Sequence, residues 1–202
     1  MKIAKNSLAL CAVLSLALMG TALADNLVQN SDFETGDLTG WLVFGQTPLS
    51  DVTVVSGDNG PSAPGTNNAF MDNQAEALGL TLKYSTEAGS GIEGTVNYSY
   101  DLLLDQADAG GVLFVEIFAE QEGGGVIGSS GLQGPLWAWE WTSYSGSFMA
   151  PAGTDFLTIQ IMANTGAAVG SNCLAHVDNV VLDQGTVAAE ATTWSQVKAL
   201  YR

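Results

Sequence analysis

Short apolar segments separated by turn-forming residues recur along this chain, and they constrain its fold more than any other feature. The clearest covers residues 94–104, GTVNYSYDLLL, where apolar and polar side chains alternate from Val96 to Asp101. A period of two is typical of a half-buried β-strand. No helical periodicity of useful length lies between Asp25 and Asp183, whereas about eight to ten strand-like segments do. The sequence therefore predicts an all-β fold, a two-sheet antiparallel sandwich.

The predicted strands cover residues 27–33, 41–44, 52–55, 68–71, 78–84, 94–104, 112–119, 137–148, 156–163 and 175–182. Loops rich in glycine and proline interrupt them at 57–68 and 123–135. The end of the chain differs, because Trp194, Val197 and Tyr201 fall at helical spacing after a linker of small residues. Residues 185–202 are therefore predicted to form a linker and a short C-terminal helix. This helix either docks on the sandwich or serves as a contact for a partner.

The N-terminus has the pattern of a cleavable secretory signal peptide over residues 1–24. Lys2 and Lys5 precede an apolar run from Leu8 to Met19, and small residues follow before Asp25. The apolar run is too short to span a bilayer, so we expect no membrane insertion after cleavage. A single domain is then predicted over residues 25–184, located outside the cell, at the cell surface or in a periplasm.

The predicted mature chain of 178 residues is strongly acidic. It contains all 21 Asp and Glu residues but only three bases, Lys83, Lys198 and Arg202, which gives a formal charge of −18. Such a surface repels nucleic acids and anionic membranes. We therefore expect neither as a partner, and the charge suits a solvated extracellular protein or one that binds cations.

Four segments in this order resemble the carbohydrate-binding modules of the family 4, 9 and 22 type. They are NLVQNSDFETGDLTGW at the start, PGTNNAFM, WTSYSGSFMAPAGTDFLTIQI, and AHVDNVVL near the end. The resemblance covers nearly all of residues 27–182, and its motifs are more specific for the fold than for the ligand. It implies a jelly roll of the galactose-binding-like group, and it implies binding of a polysaccharide or another glycan.

The resemblance also implies a structural calcium ion that joins the first segment, the loop before the next strand and the last strand. Position by position, Glu34 and Asp178 match the two carboxylate ligands, and the carbonyls of Asp32, Gly65 and Asn68 match the backbone ligands. Calcium takes six to eight oxygen ligands, so carboxylates and carbonyls from separate segments suit it. The near absence of bases favours a cation here over ordinary polar positions at strand ends.

Aromatic side chains are the candidate glycan contacts, because sugars are bound by stacking on exposed rings beside hydrogen-bonding groups. Trp137, Trp139 and Trp141 alternate, so a strand would direct them to one face. The first two lie nearer the glycine-rich loop and are the better candidates for exposure. Tyr98 and Tyr100 share another strand face, which is either core or binding surface.

The sequence offers little support for an enzyme. His176 is the only histidine, no nucleophile lies at useful spacing from it, and no pair of acids is marked out as catalytic. Two functions remain. One is a secreted, non-catalytic glycan-binding protein, and the other is an extracellular surface or matrix protein that self-assembles or adheres, for example through the C-terminal tail.

Overall fold

The computed structural model describes residues 26–57 and 65–185. The predicted signal peptide and C-terminal helix lie outside these residues. The described part contains ten β-strands: β1 (Trp41–Phe44), β2 (Ser50–Ser56), β3 (Asn67–Asn73), β4 (Gly79–Ser85), β5 (Gly94–Asp108), β6 (Val112–Glu120), β7 (Val126–Ser129), β8 (Thr142–Ala150), β9 (Phe156–Asn164) and β10 (Asn172–Gln184).

The strands form two five-stranded sheets whose neighbouring strands are all antiparallel. Sheet 1 has the order β1-β4-β9-β6-β7, and sheet 2 has the order β2-β3-β10-β5-β8. Non-consecutive neighbours show that the chain crosses repeatedly from one sheet to the other. The predicted all-β jelly-roll sandwich is confirmed.

The core lies between the two sheets and follows from the alternation in the sequence. On β9, Leu157, Ile159 and Ile161 are fully buried, and Gln160 between two of them lies on the opposite face. The same alternation recurs on β6, where Leu113 and Ile117 are fully buried. Each buried aliphatic side chain contributes roughly 1.5–3 kcal/mol to folding, so this layer is the main source of stability.

Two strand predictions were wrong. Residues 27–33 form turns, because Asn30 and Phe33 have positive φ angles of 50° and 55°, which an extended strand does not allow. The segment still contacts β10, since Leu27 N donates to Leu182 O at 2.8 Å and Val180 N donates to Ser31 O at 2.9 Å.

The second error concerns residues 123–148. The last predicted strand of this region begins at Thr142 and not at Trp137, and β7 forms inside the predicted loop. Pro135 has no amide hydrogen for a strand ladder, which limits regular pairing before Trp137. Residues 130–136 nevertheless follow β6, with Gln133 N donating to Val115 O at 2.8 Å and Leu136 N to Leu113 O at 2.9 Å.

Candidate functional site

A depression of about 240 Å³ lies on the outer face of sheet 1, the face turned away from the core. Four side chains line it: Phe44 of β1, Thr81 and Lys83 of β4, and Gln160 of β9. We call it the sheet 1 depression. Strand register brings these residues together, because Phe44 is opposite Thr81 and Lys83 is opposite Gln160.

Alternation explains why these four side chains point outward. On β4, Leu80, Leu82 and Tyr84 are buried, so Thr81 and Lys83 lie on the other face. On β1, Trp41 is buried, and the Phe44 side chain, opposite in parity, is 52% exposed. The depression therefore offers one accessible aromatic ring beside an ammonium, a hydroxyl and a carboxamide. This combination suits a sugar ring, whose apolar face stacks while its hydroxyls form hydrogen bonds.

Sequence reasoning did not identify this depression. Each strand shows its outward positions by alternation, but no local pattern indicates that β1, β4 and β9 are neighbours. The one available signal was the position of the aromatic Phe44 three residues after Trp41, since alternation puts the two side chains on opposite faces of β1.

Trp137 and Trp139 form a second exposed surface, which we call the tryptophan pair. Their side chains are 50% and 56% exposed, and their rings stack with centroids 6.1 Å apart and an interplanar angle of 20°. Leu136 packs on the core and Ala138 is 2% exposed. Ala138 O also accepts a 2.6 Å hydrogen bond from Leu104 N. The segment thus alternates without forming a strand, and its anchored residues turn both indoles toward solvent.

The other aromatic candidates lie elsewhere. Tyr100 is fully buried, its hydroxyl donates to Gln133 Oε1 at 2.6 Å, and burial raises the pKa of this hydroxyl. Tyr98 is half-buried against the core, with its ring 6.3 Å from that of Tyr100. The two alternatives for Tyr98 and Tyr100 were the core and a binding surface, and in the structure both rings pack in or against the core. Trp141 is near the histidine, with its ring centroid 6.1 Å from that of His176.

The Glu34 carboxylate lies beside the segment that leads into β3, which contains two of the other predicted calcium ligands, Gly65 and Asn68. The amides of Thr66 and Asn67 both donate to Glu34 Oε1 at 2.7 Å. A Cβ atom on Gly65 would lie only 2.5 Å from the same oxygen, so Gly65 and the Glu34 carboxylate are in close contact. Asn68 follows on β3. Asp32 precedes Glu34 by two residues, and its Oδ1 accepts a 3.3 Å hydrogen bond from Glu34 N.

Asp178, the fifth predicted ligand, is on the neighbouring strand β10. The register places Val177 opposite Ala69, one residue from Asn68. Asp178 is 2% exposed, and one of its oxygens accepts a 2.7 Å bond from Asn179 N. Asp178 is also directly opposite Asp101, another buried carboxylate. Two facing buried carboxylates repel each other unless positive charge or hydrogen-bond donors compensate them.

The set of donors fits calcium in chemical terms. It consists only of hard oxygen atoms, from carboxylates and backbone carbonyls, which is the ligand type that calcium prefers. Within residues 26–57 and 65–185, no group of three or more His, Cys, Asp or Glu side chains is placed to bind a metal. Carbonyl oxygens would therefore supply most of the coordination.

His176 lies on the outer face of sheet 2. Its Nδ1 is 2.7 Å from Asn68 Oδ1, its Nε2 is 3.0 Å from Asp105 Oδ2, and its ring is 4.7 Å from that of Phe70. These contacts hold the imidazole between two strands. In the described part of the chain, no helix is long and apolar enough to cross a membrane.

Comparison with solved structures shows the fold. The described residues resemble the xylan-binding CBM22-1 domain of Paenibacillus barcinonensis Xyn10C, with a TM-score of 0.56 and 15% identity over 82% of this chain and 97% of that one. They also resemble a Family 16 Carbohydrate Binding Module-2, with a TM-score of 0.55 and 15% identity over 79% and 100% of the two chains.

The enzymatically active domain of tailspike protein 4 from bacteriophage CBA120 is similar as well. The TM-score is 0.61 and the identity 13%, over 78% of this chain but only 21% of the tailspike chain. No protein-family model and no curated protein matches the sequence. The structural similarity establishes the fold, whereas sequence identities this low do not identify a ligand. This chain has the jelly-roll fold of carbohydrate-binding modules.

Proposed function

We propose that this protein is a secreted, non-catalytic glycan-binding module. The observation that carries the proposal is the sheet 1 depression, in which an exposed Phe44 ring lies beside three side chains able to form hydrogen bonds. Ligand pockets for drug-sized molecules measure roughly 300–1,000 Å³. A depression of about 240 Å³ therefore suits one sugar ring of a longer glycan.

The tryptophan pair supports the same function. An exposed Trp side chain leaves a large apolar surface in water, and stacking against a pyranose ring would remove it from water. The backbone is anchored at Leu136, before the pair, and at Ala138, between the two tryptophans, so little conformational entropy is lost when a ligand binds. The structural similarity to a domain described as xylan-binding agrees with this proposal.

Replacing the exposed rings should abolish glycan binding without unfolding the protein. We expect Phe44→Ala, and the double variant Trp137→Ala, Trp139→Ala, each to weaken binding at least about tenfold, because each removes a stacking surface. A glycan array on residues 25–202, followed by calorimetry with the best ligand, measures the change. Met149→Ala is the matched control, since Met149 is 67% exposed on sheet 2, away from both surfaces.

The array also tests the alternative, an extracellular structural protein that self-assembles. Binding that is unchanged in both variants would contradict the proposed surfaces. If no glycan binds, and if the protein assembles with rising concentration until residues 185–202 are removed, the structural function replaces glycan binding.

We further propose a structural calcium ion held by the carboxylates of Glu34 and Asp178 and by the carbonyls of Asp32, Gly65 and Asn68. The turn that carries Glu34 has no strand pairing of its own, and it contacts β3 through the Glu34 carboxylate. Calcium would add a bridge between this turn, β3 and β10, and its charge would offset that of buried Asp178.

Calcium should raise the melting temperature relative to chelator. Binding to the folded state alone stabilises by about 2.7 kcal/mol at a ligand concentration 100 times the dissociation constant. In a domain of this size that is a rise of roughly 5–10 °C, measured by calorimetry in calcium and in EDTA. Glu34→Gln should remove most of the difference. Glu122→Gln, which replaces an exposed acid in the turn before β7, should retain it. Identical melting curves of the wild type in both buffers would exclude the site.

A further inference from the structure

Lys83 is the only Lys or Arg within residues 26–57 and 65–185, where 18 Asp and Glu residues occur. It lies on β4, the second strand from one edge of sheet 1, and its side chain is half-buried along the sheet 1 depression. The sole cation of the described part thus lines the concave surface that also holds the exposed Phe44 ring.

Lys83 forms no ion pair with another residue of the described part. Among the described residues, the one basic side chain with a carboxylate within 4 Å is His176 on the other sheet, whose Nε2 is 3.0 Å from Asp105 Oδ2. Along the row that crosses sheet 1 from Lys83, the next residues are Gln160 and then Glu116. Glu116 is two strands away, which is about 10 Å between backbones, and its carboxylate is not within 4 Å of the Lys83 ammonium.

We propose that the sheet 1 depression selects an acidic sugar, a pyranoside that carries a carboxylate, through an ion pair between that carboxylate and Lys83. The sugar ring stacks on Phe44, and Thr81 and Gln160 bind its hydroxyls. This inference rests on the proposed glycan binding and names the chemical class of the ligand.

The charge of the rest of the protein does not prevent such binding. At physiological ionic strength the Debye length is about 8 Å, so distant carboxylates are screened while a direct contact with Lys83 is not. A hydrogen bond between charged partners is roughly twice as strong as one between neutral groups. A neutral sugar in the same place leaves the ammonium without a counter-charge, so the depression discriminates by charge.

The test compares ligands that differ only in charge. The probes are trisaccharides of galacturonate, glucuronate and mannuronate, each paired with its methyl ester, titrated by calorimetry at about 0.15 M salt. For at least one pair we expect the acid to bind about tenfold or more tightly than its ester. Lys83→Met should remove the preference for the acid, so that the acid and its ester bind this variant with equal affinity. Lys83→Arg should retain most of the affinity, and thermal melts confirm that both variants are folded.

The outcomes separate this inference from the proposed function. If the array shows binding of a neutral glycan and no acid binds better than its ester, selection of acidic sugars is excluded while glycan binding stands. A preference for the acid over its ester that survives Lys83→Met also excludes it, because a bridging cation or another site then binds the carboxylate. If no glycan of any kind binds, both proposals fail.

Discussion

Phe33→Ala should destabilise the protein by about 3–5 kcal/mol, the range for removing a buried Phe side chain. Phe33 is fully buried, and its ring lies 5.3 Å from that of Trp41, which in turn lies 5.2 Å from Tyr84. These three rings pack against a segment that forms no strand, although backbone hydrogen bonds join it to β10. Trp41 Nε1 donates to Asn30 O at 3.1 Å, and Gln29 N donates to the Tyr84 hydroxyl at 3.0 Å.

The substitution leaves a cavity below the turn that carries Glu34, so calcium stabilisation should weaken as well. Urea unfolding of the wild type, Phe33→Ala and Phe44→Ala measures the free energy of unfolding. An unchanged dependence of this free energy on urea concentration checks that the transition stays two-state. Phe44→Ala is the matched control: it removes the same ring from an exposed position and should change stability by no more than about 0.5 kcal/mol. Equal losses in the two variants would contradict the proposed role of Phe33.

Gly111→Ala should cost about 3 kcal/mol, at the upper end of the usual range for overpacking. Gly111 lies in the turn between β5 and β6, and a Cβ there would overlap the carbonyl oxygen of Asn172 at the start of β10. Backbone cannot rotate aside as a side chain can. The turn must therefore move away from β10. This movement is opposed by the 3.1 Å hydrogen bond that Asp108 N donates to Asn172 Oδ1.

Gly185→Ala is the control for this prediction, because a Cβ there would contact nothing within 4 Å and the φ angle is not positive. Its melting temperature should equal that of the wild type, whereas Gly111→Ala should lower it by roughly 5–10 °C. A Gly111→Ala variant as stable as the wild type would show that the turn and β10 are not packed as described.

Strand positions were largely predictable, because alternation is a local property that each segment carries by itself. The bounds of β5, β6 and β9 match those of the predicted strands within a few residues, since each strand places large apolar side chains at every second position. The predictions failed where local geometry departs from that rule. Phe33 is apolar and buried, as a strand residue would be, but its φ angle is positive and its ring packs on that of Trp41.

The candidate site residues were likewise predictable in part. Trp137 and Trp139 were the better candidates for exposure because they lie near the glycine-rich loop, and both are exposed even though the segment is not a strand. Burial of Tyr100 did not follow, because a half-buried strand has two faces and only the second sheet shows which one is covered.

The sequence by itself determined the class of fold, the acidity of the surface and the side chains that point away from the core, since these depend on neighbours along the chain. Only the tertiary structure decided which outward side chains share a surface. Phe44, Lys83 and Gln160 belong to three strands far apart in sequence, and pairing across sheet 1 brings them to one depression. Strand order depends on how the whole sandwich buries its apolar faces, a balance over many distant contacts that no local pattern records.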